Sequence, residues 1–333
     1  MADRQTINYA VYIRVIGTVL ILLCHLTQQN VNPYIQKMSQ FFNIGVPIFF
    51  ILSGFLFGIN PKGIKEWKGW YVRRIKRIYI PYEIFIVILA VIYFLQGLNV
   101  FTKDWLLLII GAQGSNVGVW GAEQTWFISA LLLSYLFTPL ISWLIVKNEY
   151  IKIIMLVTVI GLPVLLSLLK PVWAFTLFTP IVEYLIAFWI GRNIDKIKFS
   201  LKYVLCAASL LVFSFSIRIL AKVICDGSIL YDRLIVFYTH MIAAFCLCYI
   251  ISSLCQNIKV YKVINWFSNI SFEIYLFHYM FTVGPVSLFG STPNWITDCI
   301  LVMLVTLVVS TLARAFANRI LYAIKKTKHV HGV

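Results

Sequence analysis

Residues 14–25 read Arg14-Val-Ile-Gly-Thr-Val-Leu-Ile-Leu-Leu-Cys-His25, a cation and an imidazole separated by a nearly all-apolar segment. The surrounding run, residues 9–26, is long enough to cross a bilayer as an α-helix. Because helical geometry separates the two side chains by three turns plus about 20°, they are predicted to share one face, about 16 Å apart along the axis. A membrane-embedded arginine is costly, so this face predicts a polar, functional cavity. The alternative is that both side chains reach the headgroup levels.

Composition fixes the broad class of the protein. Of the 333 residues, 61% are hydrophobic and only 12% are charged, whereas about a quarter of the residues in soluble domains are charged. Water-soluble cores are therefore excluded, and an integral membrane protein surrounded by lipid is predicted. The net charge of +16 would suggest a nucleic-acid partner in a soluble protein. Here it reflects the distribution of basic residues between the two membrane faces, and no nucleic-acid partner is expected.

Apolar stretches of spanning length occur ten times along the chain. They cover residues 9–26, 39–59, 78–97, 125–146, 151–169, 173–190, 203–225, 229–254, 263–289 and 295–323. A shorter apolar run, residues 105–110, is predicted to be interfacial or re-entrant. The predicted fold class is all-α, a polytopic membrane helical bundle of about ten transmembrane helices.

Basic residues orient this bundle, because Lys and Arg are retained on the cytoplasmic side. The connection between the second and third stretches carries Lys62, Lys65, Lys68, Arg73, Arg74, Lys76 and Arg77. With this connection in the cytoplasm, ten spans put both termini in the cytoplasm as well.

Several expected signals are absent from the sequence. No soluble domain is evident beside the apolar stretches, so residues 1–333 are predicted to form a single transmembrane domain. The seven cysteines show no paired metal-ligand spacing, so no metal site is predicted. Neither a phosphate loop nor a dinucleotide fingerprint occurs, which argues against ATP-driven functions. The lack of a strong internal repeat argues against a transporter built from inverted repeats.

Five segments in order carry a family resemblance. After Arg14 and His25 come Gly-Val-Pro-Ile-Phe-Phe-Ile-Leu-Ser-Gly-Phe at 45–55, Arg-Arg-Ile-Lys-Arg-Ile-Tyr-Ile-Pro-Tyr at 73–82, Trp-Phe-Ile-Ser-Ala-Leu at 126–131 and Ile-Tyr-Leu-Phe-His at 274–278. With these segments the chain resembles the membrane acyltransferase-3 family from the first to the ninth span.

The resemblance implies an O-acyltransferase of the bacterial plasma membrane. Such enzymes commonly move acetyl from cytoplasmic acetyl-CoA to a hydroxyl of a cell-surface polysaccharide or of its lipid-linked glycan precursor. Some members place a glutamate a few residues beyond the Trp of the fourth span, where this chain has apolar residues and Ser129. A mechanism that uses that acid is therefore not carried over.

Acyl transfer from a thioester to an alcohol needs a base that titrates near neutrality, and imidazole is the natural candidate. His25 is predicted to be this general base, with Arg14 holding a CoA phosphate or the thioester region. His278 matches the late motif of the family and ranks second, as an orienting or acceptor-binding group. His240 matches no motif. It is interpreted as an ordinary buried histidine whose polar group is satisfied by one hydrogen bond.

A cationic cluster at the start of the third span has two interpretations of similar weight. Arg73, Arg74 and Arg77 could bind the phosphates of CoA bidentately, or they could attract anionic lipid headgroups. The resemblance favours the CoA phosphates for Arg74 and Arg77. The embedded acids Glu83 and Glu183 are further candidate site members, as partners of an arginine or a histidine.

Two other groups of residues are mainly structural candidates. Gly54 and Gly58 lie four residues apart and predict a close helix contact, beside which Ser53 could donate into a cavity. Trp120, Gln124 and Trp126 could recognise the acceptor sugar, but an aromatic belt at the headgroup level gives the same pattern and is favoured.

Two rival functions remain open from the sequence. The first is a transporter or flippase of a polar metabolite or glycan, in which Arg14, His25 and Glu183 line the path without making bonds. The second is a polysaccharide polymerase. The glycines at 54 and 58 leave the oligomeric state open, because they could pack within one bundle or between chains.

Overall fold

The protein is described by a computed structural model that covers residues 2–60, 67–114, 118–147, 150–169 and 172–330. Its α-helices, numbered in chain order, are α1 Ala2–Gln28, α2 Pro33–Phe42, α3 Gly45–Ile59, α4 Trp67–Leu95, α5 Lys103–Ile109, α6 Trp126–Lys147, α7 Ile151–Leu168, α8 Val172–Phe178, α9 Pro180–Arg192, α10 Leu201–Cys225, α11 Val236–Cys255, α12 Lys262–Thr282 and α13 Trp295–Val330. A π-helix, Leu230–Ile235, leads into α11. No strand occurs in these described ranges, and the all-α prediction is confirmed.

Eight helical segments in the described part of the chain are long and apolar enough to cross a membrane. They are Asn8–Gln28, Pro33–Ile59, Trp67–Leu95, Glu123–Trp143, Val172–Arg192, Leu201–Cys225, Leu230–Cys255 and Trp295–Lys326. The other two predicted spans also form helices, α7 and α12, but they are not among the eight. Polar side chains interrupt the apolar ones in residues 262–273 of α12, namely Asn265, Ser268, Asn269, Ser271 and Glu273. A count of ten spans and cytoplasmic termini therefore stay predictions, and Lys62 and Lys65 lie outside the described residues.

Two of the predicted spans are broken helices. Residues 39–59 divide between α2 and α3, and residues 173–190 divide between α8 and α9. Pro180 starts α9, where its missing N–H removes no helical hydrogen bond. Residues 105–109 of the short apolar run lie in α5, whose first turn is capped because Thr102 Oγ1 accepts from the backbone N–H of Trp105.

The chain divides into two compact units. The first comprises Met1–Cys24, Lys37–Lys62 and Ala130–Ser268, and the second comprises His25–Gln36, Gly63–Ser129 and Asn269–Val333. The boundary falls inside α1, α2, α6 and α12, so each of these four helices contributes residues to both units.

Close contact between α3 and α9 dominates the first unit. A Cβ added at Gly54 would collide with the carbonyl oxygen of Tyr184, and one added at Gly58 would collide with that of Phe188. In the other direction, a Cβ at Gly191 would meet the carbonyl oxygen of Phe55. The predicted close approach at Gly54 and Gly58 is confirmed, and it occurs within the chain.

The core of the second unit forms around α12. The rings of Phe85 on α4 and Phe277 on α12 meet edge to face, with centroids 5.5 Å apart. Glu273 of α12, whose side chain is fully buried, pairs with Arg314 of α13 at 3.2 Å. Neighbouring helices thus hold α12 on two sides, which fixes the position of its remaining side chains.

Candidate active site

His25 lies in the last turn of α1 and belongs to the second unit. Its Nδ1 is 3.1 Å from the side-chain oxygen Oε1 of Gln28, three residues further along the chain. Because an amide oxygen only accepts, Nδ1 carries the hydrogen and donates it to Gln28. In the neutral ring the lone pair is therefore on Nε2.

His278 lies on α12, in the same unit, and its side chain is buried. Its Nδ1 is 2.8 Å from the carbonyl oxygen of Tyr275 and 3.1 Å from that of Ile274. Carbonyl oxygens only accept, so Nδ1 again carries the hydrogen and Nε2 carries the lone pair. Across the described ranges, this buried Nε2 has no hydrogen-bond partner.

The structure brings these two imidazoles together. Their ring centroids are 5.1 Å apart, with an angle of 41° between the planes. Tyr279 packs edge-on against both rings, at 5.0 Å from His25 and 6.0 Å from His278. We call His25 and His278 the histidine pair. In both members the hydrogen is held at Nδ1 by the protein, which leaves a basic Nε2 on each ring.

The segment before α6 holds the helix that carries His278. Tyr275 donates its hydroxyl to the backbone oxygen of Gln124, and Gln124 Nε2 donates to Leu276 O at 2.7 Å. Trp120 Nε1 donates to Val283 O at 2.6 Å. The two side chains thus hold α12 and the residue that follows it, while the side-chain oxygen Oε1 of Gln124 is buried without a hydrogen-bond partner in the described part of the chain. Trp126 is half-buried at the start of α6.

Arg14 belongs to the first unit, where it is half-buried. Its Nη1 donates to the hydroxyl of Ser268 at 3.2 Å, and its backbone oxygen accepts from Thr18 Oγ1 at 2.9 Å. Helices α1 and α12 meet in both units, through Arg14 and Ser268 in the first and through His25 with His278 and Tyr279 in the second. The shared face predicted for Arg14 and His25 stays a prediction, because the two residues belong to different units.

The remaining predicted site residues lie at separate places. Arg73, Arg74 and Arg77 are in the first three turns of α4, where Arg73 and Arg77 are exposed and Arg74 is half-buried. Glu83 is half-buried further along the same helix. In the first unit, Glu183 is buried in the first turn of α9 and Ser53 is half-buried on α3.

Sequence reasoning missed several contact residues. Gln28 follows His25 by three positions, and this spacing in a helix was the available signal for their hydrogen bond. Tyr279 and Ser268 had no signal, since only the fold brings them to His25 and Arg14. Arg218 was also missed, although an arginine inside an apolar stretch is a signal by itself. It lies against His240, which sequence reasoning treated as an ordinary buried histidine.

These features define a class of protein, a multi-pass membrane protein with a pair of histidines inside its helical bundle. A model of the acyltransferase domain family, Acyl_transf_3, matches residues 7–315, which include both members of the histidine pair. The chain belongs to this acyltransferase-3 family, and it is a membrane acyltransferase. Comparison with curated proteins and with solved structures gave no match.

Proposed function

We propose that this membrane acyltransferase is an O-acetyltransferase of the bacterial plasma membrane. It transfers acetyl from cytoplasmic acetyl-CoA to a hydroxyl of a cell-surface polysaccharide or of a lipid-linked glycan precursor. The observation that supports this reaction is the histidine pair, because its orientation leaves Nε2 of each ring available as a proton acceptor. The family match supports the transfer of an acyl group.

In the proposed reaction His25 is the general base. As the acceptor oxygen attacks the carbonyl carbon of the thioester, its proton moves to Nε2 of His25. The tetrahedral adduct then collapses, the carbon–sulfur bond breaks, and the imidazolium returns the proton to the departing CoA sulfur. The products are an acetyl ester and free CoA thiol, so the base is regenerated.

Gln28 supports this base in two ways. Its Oε1 accepts the Nδ1 hydrogen of His25, which selects the tautomer that has a basic Nε2. The same hydrogen bond strengthens when the ring becomes positively charged, and it therefore favours the protonated state that forms during attack.

His278 acts beside the base as a neutral acceptor. Two imidazolium ions with ring centroids 5.1 Å apart would repel each other. Only one of the two rings therefore takes up an additional proton and becomes positively charged. With its Nδ1 held by backbone oxygens, His278 offers Nε2 to a second hydroxyl of the acceptor. It thereby orients the sugar for transfer to one particular oxygen.

Basic residues are proposed to bind the donor. Arg14 holds a CoA phosphate or the thioester region, and Arg73, Arg74 and Arg77 bind the remaining phosphates. The exposure of Arg73 and Arg77 supports contact with a ligand from the aqueous side. Guanidinium groups suit this role because they bind phosphate oxygens bidentately.

Labelled acetyl-CoA tests the proposal. Membranes that contain the protein and its glycan acceptor should transfer the acetyl label to the glycan, and the glycan should gain the mass of one acetyl group. His25→Ala at normal abundance should lower the rate by about 10²- to 10⁴-fold, the usual contribution of a general base. Full activity of His25→Ala would end its assignment as base, and transport of an unmodified solute without acetylated product would favour a transporter.

A further inference from the structure

A buried arginine in the first unit has no role in the proposed chemistry. Arg218 lies within α10, and only 6% of it is exposed. An arginine at such a position normally faces a polar cavity or a partner, because the bilayer interior does not solvate its charge. It therefore marks a candidate binding site.

The contacts of Arg218 leave its charge unbalanced. Its Nη1 donates to the backbone oxygen of Gln40 at 2.5 Å and lies against Nε2 of His240. Its Nε is buried without a hydrogen-bond partner within the described ranges. No ion pair joins Arg218 to a carboxylate in those ranges either. A buried guanidinium with neutral partners and an unused N–H favours a bound anion.

Arg218 lines a cavity of about 390 Å³. Its lining residues are Lys37, Gln40, Phe41, Arg218, Ile219, Lys222, Val223, Asp226 and Tyr231. Three of these side chains are cationic and one, Asp226, is anionic, so the lining carries a net charge of +2. The cavity is therefore electrostatically suited to a ligand with at least two negative charges.

The same stretch of α10 also supplies apolar side chains. Arg218 and Lys222 are four residues apart and form a basic row, beside which Ile219 and Val223 form an apolar row of the same spacing. Ile219 is 51% exposed and Val223 is 83% exposed, so this row is accessible to a hydrocarbon chain. A ligand that satisfies both rows has an anionic head and an apolar tail.

We propose that this cavity binds the phosphate or diphosphate group of a membrane lipid. The phosphate oxygens accept from Arg218 and Lys222, and the lipid chain lies along Ile219 and Val223.

Lipid binding to the purified full-length protein tests the site. Native mass spectrometry in a neutral detergent would measure dissociation constants for a polyprenyl diphosphate, for phosphatidic acid, for the uncharged polyprenol and for inorganic pyrophosphate. The two phosphate-bearing lipids should bind, and polyprenol should bind at least tenfold more weakly. Tighter binding of the polyprenyl diphosphate assigns the site to a lipid carrier, whereas tighter binding of phosphatidic acid assigns it to a membrane phospholipid. Pyrophosphate that binds as tightly as the lipids would overturn the lipid part of the proposal.

Substitutions of charged residues at the edge of the cavity test the site without removing the buried contacts that Arg218 makes. Lys222→Glu changes the lining by two charges and should weaken binding of the polyprenyl diphosphate about 30-fold, since one basic group contributes about fivefold. Asp226→Asn should tighten it about fivefold. Lys202→Glu, at the opposite end of the same helix, is the matched control and should leave binding unchanged.

Lys222→Glu should weaken lipid binding and Asp226→Asn should tighten it. Together with the control at Lys202, these changes distinguish a local binding site from a general attraction of the anionic lipid to the basic protein. Equal affinities for wild type, Lys222→Glu and Asp226→Asn would overturn the proposal, as would equal weakening by Lys202→Glu. Binding does not require acetyl transfer, so the His25→Ala variant should bind the lipid normally. Lipid binding without any acetylated product would contradict the proposed function while leaving this site intact.

Discussion

Replacing Gln28 by leucine removes the acceptor of the His25 Nδ1 hydrogen and preserves the approximate size of the side chain. The hydrogen bond, 3.1 Å long, is the contact that would stabilise the imidazolium in the transition state. Hydrogen bonds to charged groups contribute about 1.5–3 kcal/mol, and the exposure of Gln28 places this one at the lower end. We therefore expect kcat for acetyl transfer to fall about tenfold, because 1.4 kcal/mol corresponds to a factor of ten.

Proteoliposomes with purified enzyme, labelled acetyl-CoA and isolated acceptor glycan would measure this change as an initial rate. The KM for acetyl-CoA should stay within about twofold, because the proposed effect concerns the proton transfer and not the binding of the donor. Gln28→Glu retains an accepting oxygen and should keep most of the activity.

The matched control is Gln256→Leu, which replaces a glutamine at the end of α11 in the first unit. It should behave as the wild type. The reasoning about Gln28 is refuted if Gln28→Leu and Gln256→Leu transfer acetyl at the same rate at equal abundance. It is also refuted if the loss in Gln28→Leu appears only in KM.

Three further predictions concern the helices around the site. His278→Gln should lower acetyl transfer about 10- to 100-fold and shift the distribution of acetylated positions on the glycan, which mass spectrometry of the product would show; an unchanged distribution contradicts an orienting role. Gly54→Ala should destabilise the protein by about 1–3 kcal/mol because its Cβ meets a backbone oxygen, whereas Gly161→Ala, with its nearest atom at 4.0 Å, should be neutral or slightly stabilising in thermal unfolding. Arg314→Leu leaves the buried carboxylate of Glu273 unpaired and should cost about 3–5 kcal/mol, of which the additional change Glu273→Gln should restore a large part; no recovery in the double variant would contradict the ion pair.

Much of the fold follows from hydropathy alone. Each apolar stretch predicted to span the membrane lies mainly in helix, because backbone groups in lipid require internal hydrogen bonds, although the stretch 263–289 leaves the helix after Thr282. The interruptions between α2 and α3 and between α8 and α9 were not predicted, since the side chains remain apolar across them. The polar side chains among residues 262–273 explain why α12 is not among the eight helices that are long and apolar enough to span.

The candidate site was predictable only in part. Motif positions singled out His25 and His278, but their ring contact depends on packing between helices far apart in sequence. Gln28 was not predicted as a site residue, because it lies beyond the apolar stretch that ends at residue 26. Arg218 shows the opposite case, a charge visible in the sequence whose partners, Gln40 and His240, only the tertiary structure reveals.

The backbone oxygens of Ile274 and Tyr275 have a chemical consequence for His278. Since both accept from Nδ1, turning the ring over would break two hydrogen bonds and bury an N–H without an acceptor. Electrophiles that modify this side chain in the folded enzyme should therefore attach at Nε2 alone. Peptide sequencing after acylating reagents would then find a single regioisomer at this residue, whereas a freely rotating imidazole would give two.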